Sequence, residues 1–405
     1  MRLTMKERKK TTAVVACRYQ KASKKHKGLI LDEFTKLTGY SRRYASHVLI
    51  SHGRKMRLND RCVVQLDVKK TTHRKKPKIY DDAVARALKE IWYIMDCICG
   101  KRLAPALGEI VRRLERFREI RLSEDVRQKL LRISPASIDR LLAKERKRYQ
   151  LKGRGNTKPG TLLKNQIPIR TFSDWNEQKP GFVEIDLVGH DGGDSHGDFA
   201  QTLDVTDICT TWTETEAIKN KAQVWVFEAL KDIRMRMPFP LLGIDSDSGG
   251  EFINHHLFNY CRQEQITFTR SRSYRKNDGC FVEQKNYSVV RRAAGYLRYD
   301  TEDELLTLNE LYRYLRLYTN FFQPTMKLIE KTRVGSKVTK KYDKAQTPYR
   351  RVLAHSDVSA ADKQVLKKLY ATLNPAHLKR QISRQQQTLD KMHAQKRSPK
   401  KKSAA

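Results

Sequence analysis

Three acid side chains in this 405-residue chain, Asp186, Asp247 and Glu283, sit where a carboxylate needs a partner. Asp186 lies in Glu184-Ile185-Asp186-Leu187-Val188, an apolar run read as a central strand, where an isolated carboxylate is costly to bury unless it is paired or coordinates a cation. Asp247 ends the next long apolar strand, in Ser246-Asp247-Ser248-Gly249-Gly250-Glu251-Phe252. The glycines there let the backbone turn sharply, so the carboxylate can face a neighbouring strand. Glu283 opens the helical stretch Val282-Glu283-Gln284-Lys285-Asn286, and 60 and 35 residues separate the three acids in turn. Three carboxylates suffice to hold two divalent ions, Mg²⁺ with Mn²⁺ as a substitute. Two such ions about 4 Å apart activate an oxygen nucleophile, stabilise a leaving oxygen and neutralise the charge between them, as phosphodiester transfer requires.

Neighbouring acids have plainer readings. Asp245 points the same way as Asp247 by strand alternation and is the alternative ligand, although the Asp-Ser-Gly-Gly-Glu-Phe context favours Asp247. Asp204 and Asp207 read as turn residues at a strand end. Glu251 reads as a helix-start residue favoured by the positive end of the dipole.

The charge supports chemistry on a polyanion. Lys and Arg number 83 against 45 Asp and Glu, a formal net charge of +38, far more than solubility needs. Residues 181–260 run the other way, with 14 acids and 5 bases, leaving +47 on the rest of the chain. An acidic island that must meet phosphate calls for cations in between. No apolar run approaches the roughly 18 residues of a membrane span, and the amino terminus lacks a signal-peptide core, so a cytoplasmic protein is expected. The seven cysteines lack zinc-ribbon spacing and read as free thiols, with Cys97 and Cys99 in packing roles.

The elements that position these acids follow from periodicity. Residues 27–53 read as helix, turn and helix: Leu29, Ile30, Phe34 and Leu37 at helical spacing, a break at Gly39, then a Ser41-capped helix carrying Tyr44, Ala45, Val48 and Leu49. Its outer face offers Arg42, Arg43 and His47 to a DNA groove. A basic connector precedes a second helical block, whose last helix opens with Ser134 as N-cap and Pro135 at the first position. That helix turns Ile138, Leu141 and Leu142 inward and Arg140 and Lys144 outward, a second helix-turn-helix pattern. From residue 181 the order becomes β-β-β-α-β-α-β-α, the ribonuclease-H-like arrangement of a mixed sheet covered by helices. The expected domains are a helix-turn-helix domain at 1–68, a basic linker at 69–79, a second DNA-binding helical domain at 80–148, a basic linker at 149–175, a mixed-sheet catalytic core at 176–322 and a basic carboxyl-terminal region at 323–405. In that last region 360–395 reads as polar helices, and Lys396, Arg397, Lys400, Lys401 and Lys402 as a solvated basic end.

The phrases Ile-Asp-Leu-Val, Asp-Ser-Gly-Gly-Glu-Phe and Asn-Asp-Gly-Cys-Phe-Val-Glu-Gln-Lys-Asn resemble the catalytic core of bacterial insertion-sequence transposases, itself similar to that of retroviral integrases. The resemblance covers about residues 170–355, and the 35-residue interval is its most specific feature. The zinc-binding amino-terminal module of retroviral integrases has no counterpart here. The resemblance implies a DNA transposase acting on element ends and target DNA as a dimer or larger assembly. It further implies that Asp186 bridges two ions, Asp247 holds one and Glu283 the other, with Lys285, Asn286 and Arg291 gripping DNA phosphates beside them. A DNA-binding regulator with an inert core, and a ribonuclease-H-like nuclease that cuts without joining, are the competing readings.

Overall fold

The computed structural model describes residues 3–59, 62–65, 79–146, 179–247, 249–270, 280–334 and 336–397. They fall into two compact units, Met1–Lys78 and Ile79–Ala405. The expected linkers at 69–79 and 149–175 lie outside the described residues except for Ile79, as do Lys400, Lys401 and Lys402.

The first unit holds α1 (Met5–Lys21), α2 (Lys24–Thr38), α3 (Arg42–Ser51) and a hairpin of β1 (Lys55–Asn59) and β2 (Cys62–Gln65). Helix α1 is poor in apolar residues and starts at a capping box, in which Thr4 and Glu7 satisfy each other's backbone N–H groups. Gly39, at φ +68°, ends α2 in the left-handed region, and the Ser41 side chain caps α3 two residues later. Ala16, Tyr19, Ile30, Leu31, Phe34, Ala45 and Leu49 form the core of this unit. Leu29, Leu37 and Tyr44, expected on the inner faces, are exposed instead.

In the second unit five helices come first: α4 (Asp82–Ile94), α5 (Gly100–Arg116), α6 (Glu124–Arg132), α7 (Pro135–Leu141) and α8 (Ala143–Arg146). Gly100 allows α5 to meet α7 closely: Asp139 accepts its N–H at 2.8 Å, and a Cβ there would stand 2.2 Å from the Pro135 carbonyl. The sheet comprises β3 (Phe182–Gly189), β4 (Gln201–Asp207), β5 (Thr213–Ile218), β6 (Gly243–Ser246) and β7 (Thr267–Arg270), in the order β5-β4-β3-β6-β7. β4 pairs antiparallel with both β3 and β5, whereas β3, β6 and β7 run parallel. This is the mixed sheet the sequence implied.

Helices α9 (Gln223–Arg236) and α10 (His255–Gln263) follow β5 and β6. Val183, Ile185 and Leu187 of β3 share an apolar core with them, so the alternate residues Glu184 and Asp186 face the other side. There lie α11 (Cys280–Lys285), a π-helical turn (Asn286–Arg291) and α12 (Arg292–Ala294), followed by α13 (Glu302–Phe322), the hairpin β8 (Leu328–Val334) and β9 (Lys337–Tyr342), then α14 (Pro348–Ala354), α15 (Ala360–Thr372) and α16 (Pro375–Arg397).

The block at 80–148, read as a module of its own, instead shares one apolar core with α13 to α16: Leu88, Trp92 and Leu107 join Leu311, Phe322, Ile382 and Leu389. Asp96 reinforces the join through ion pairs to Arg292 and Lys379, and Glu119 through one to Arg380. Leu141, expected to face inward, is exposed. The carboxyl-terminal helices are part of this packing, and Lys396, read as a solvated end, pairs with Asp300 and Glu304. No helix among the described residues is long and apolar enough to cross a membrane.

Candidate active site

Asp186 follows Glu184 on the face of β3 turned away from the apolar core shared with α9 and α10. Its Oδ1 accepts the Leu187 N–H at 2.8 Å, and its Oδ2 accepts the Asn286 side-chain amide at 2.6 Å. Burial pushes its carboxyl up to about 7, and the charges of Asp247 and Glu283 push the same way. Asp186 on the strand therefore feels the charges of an acid at a neighbouring strand end and of another on a helix. Asp247 lies just past β6, where its Oδ1 accepts the Gly249 N–H at 2.8 Å. Desolvation raises it and the Gly249 hydrogen bond opposes the rise. Glu283 is exposed on the first turn of α11. Among the described residues, no three His, Cys, Asp or Glu side chains already stand together as a metal cage.

The plainer acids separate from one another. Asp245 is buried and accepts the Thr269 hydroxyl at 2.5 Å, so it is engaged inside the sheet while Asp247 lies at the exposed end. Asp207 is a strand-end turn residue as expected, accepting from Gly181 and twice from Thr210. Asp204 is not: it is fully buried within β4, directly opposite Asp186. Glu251 precedes α10 by a turn instead of starting it; Asn254 caps that helix, and the Glu251 carboxyl lies close enough to Asp247 to be raised by its charge as well as by burial.

Two positions expected to grip DNA face inward. The Lys285 ammonium is buried and donates to the Thr211 carbonyl at 3.3 Å, with Asp204 as its counter-charge. Burial lowers Lys285 and raises Asp204, and each opposes the shift of the other. Arg291 donates to the Gly189 carbonyl at 2.8 Å and lies over the Tyr296 ring, so its guanidinium closes the end of β3. Lys285 lies three residues after buried Val282 and so shares the inward face of α11, whereas Arg291 lies in the π-helical turn, where i to i+5 spacing rotates the faces counted at 3.6 residues per turn. Asn286, expected on phosphate, instead serves Asp186.

Arg42, Arg43 and His47 are exposed on the first turns of α3, and Arg42 pairs with Asp32. Arg140 and Lys144 are exposed on α7 and α8. Sequence reading missed Glu184, which is 1% exposed and accepts both the Phe281 and Val282 N–H groups at 2.8 Å. Its position two residues before Asp186 was the available signal.

No family model matches the chain. Among solved structures it is similar to the catalytic core domain of BIV integrase, with 16% identity, 42% of this chain and 91% of that one covered, and a TM-score of 0.29. It is also similar to the HTLV-2 integrase catalytic core domain in complex with magnesium, with 13% identity, coverage of 36% and 90%, and a TM-score of 0.28. Uncharacterized protein y4rM of Sinorhizobium fredii is 38% identical over 350 residues, which is 86% of this chain and 96% of that protein. At that identity across nearly the whole of both sequences, this chain belongs to the same family as y4rM.

Proposed function

We propose that this chain is a DNA transposase that binds the ends of a mobile element and carries out metal-dependent end cleavage and strand transfer. One observation carries the reading: Asp247 directly follows Ser246, the register partner of Ile185, the Asn286 amide ties the helix segment after Glu283 to Asp186, and burial with repulsion from Asp247 and Glu283 raises the Asp186 carboxyl. That repulsion is relieved by added positive charge, and an all-oxygen donor set suits a hard cation such as Mg²⁺ or Mn²⁺. When bound, two such ions supply an activated nucleophile and stabilise the leaving oxygen.

The chain's own residues do the rest. Asp186, Asp247 and Glu283 would hold the ions. The Asn286 amide orients the Asp186 carboxylate by a hydrogen bond to its Oδ2, and the Gly249 N–H orients the Asp247 carboxylate by one to its Oδ1. Arg42, Arg43 and His47 on α3 form the candidate reading face for the element end, and Arg140 and Lys144 a second basic face. Joining two ends implies a dimer or more on DNA. The test is incubation of the full chain with Mg²⁺ and candidate end duplexes, followed by a search for joined products. Specific binding of ends that are never cut would favour a regulator with an inert core; cutting without joining would favour a nuclease.

A further inference from the structure

Glu184 is an odd residue to bury. Its strand neighbour in the pairing of β3 with β6 is Asp245, itself buried, and the charges of Asp245 and Glu283 both act against its ionisation. An apolar side chain on this face would avoid the desolvation of a carboxyl group. The geometry gives the reason for an acid. One oxygen of Glu184, Oε2, accepts both the Phe281 and the Val282 N–H at 2.8 Å. Those two groups open α11, where backbone donors have no acceptor within the helix. Glu283 is the next residue. The same side chain thus begins two residues from Asp186 on the strand and ends one residue from Glu283 on the helix. The Asn286 amide makes the second tie between the same two elements, at 2.6 Å to Asp186.

We infer that Glu184 is a positioning residue whose carboxyl oxygen fixes the start of the helix carrying Glu283 over the strand carrying Asp186. The inference rests on the triad reading above. It requires an acceptor oxygen at this place and no charge, so Glu184→Gln retains the function and Glu184→Ala loses it. A metal ligand would behave differently, since the amide would then fail along with the alanine.

The experiment uses the full-length chain in three forms: unaltered, Glu184→Ala and Glu184→Gln. Three quantities are measured: hydrogen exchange of the 280–285 amides, affinity for an end duplex, and the rate of joining with saturating Mg²⁺ and duplex. In Glu184→Ala, the Phe281 and Val282 amides should exchange about tenfold faster or more. Its joining rate should fall roughly 100-fold, the effect of misplacing a reacting group by on the order of 1 Å. Duplex affinity should stay within about twofold, because no DNA-facing group is altered. Glu184→Gln should match the unaltered chain in exchange and keep its joining rate within about threefold. Unchanged exchange and joining in Glu184→Ala would overturn the inference. So would a Glu184→Gln chain with protected amides that no longer joins. If Glu184→Ala does not fold, Glu184→Gln decides alone by the same two readouts. Failure of the unaltered chain to join any duplex would instead sink the triad reading, and the exchange comparison would still test whether Glu184 holds the helix.

Discussion

Replacing Lys285 with methionine separates an internal ammonium from a DNA contact. The methionine keeps much of the apolar stem but leaves Asp204, fully buried, without its counter-charge, and leaves the Thr211 carbonyl with the Thr213 hydroxyl but not the ammonium as donor. Asp204 must then take a proton in the folded state, although its ordinary value is 3.8. Holding it neutral at pH 7 costs at most about 1.4 kcal/mol per pH unit above that value, or about 4 kcal/mol. The same range, roughly 3–5 kcal/mol, is typical when one partner of a buried ion pair is removed. The sign with pH follows: an acid raised in the folded state destabilises more as pH rises above its unfolded value, so the loss should shrink to about 2 kcal/mol at pH 5. Lys285→Met combined with Asp204→Asn should recover at least half of the loss, since no buried charge is then left alone. Urea unfolding followed by tryptophan fluorescence at the two pH values measures all of this, with buried Trp212 one residue from Thr211 as a reporter. A Lys285→Met chain with unaltered stability at both pH values and weakened DNA affinity would refute the inward assignment and restore the phosphate contact.

Three further expectations follow from particular contacts. Gly249→Ala places a Cβ 2.8 Å from Asp247 Oδ1 and 2.7 Å from Glu251 Cδ, so joining should fall roughly 100-fold with little change in melting temperature; normal joining would mean that the Asp247 carboxylate is not held there for chemistry. Arg42→Ala with Arg43→Ala should weaken binding to element ends by about 1–3 kcal/mol for each true base contact while sparing random duplex; equal loss on both would make them phosphate contacts. Hydrogen bonding and charge from Arg380 hold Glu119 down to about 2 from 4.5, so its stabilisation is present above its unfolded value and lost as pH falls toward 2; acid unfolding of Glu119→Gln should be less steep, and an unchanged acid profile would count against this tie between the segment after α5 and α16.

The sequence carried the succession of strands and helices along the catalytic region and the spacing of the three acids because both are local: alternation, strand ends flanked by glycine, and intervals along one chain. What it hid depends on contacts between distant segments. Asp204 looks like a turn residue until its antiparallel register places it opposite Asp186. Lys285 reads as a phosphate contact by its charge although it lies three residues after the buried Val282, and Arg291 sits in the π-helical turn, which changes what it faces. Leu378, Ile382 and Leu389 are sparse in a polar stretch, yet α16 buries all three with α13 and the first helical block. Helix α1 is not read from the sequence, since its apolar stripe is thin. Glu184 was in view beside Asp186, but its meaning required knowing which backbone donors lie above it.

The most direct measurement of the central claim is a joining assay with an end duplex, run on the unaltered chain and on Asp186→Asn, Asp247→Asn and Glu283→Gln, in Mg²⁺, in Ca²⁺ and in chelator. Joined product is expected only from the unaltered chain in Mg²⁺, with Ca²⁺ supporting assembly but little turnover because it prefers more ligands at longer distances. All three variants should still bind the duplex nearly as tightly as the unaltered chain. Full cleavage in chelator, or strand transfer by Asp247→Asn, would contradict a two-metal site built from Asp186, Asp247 and Glu283.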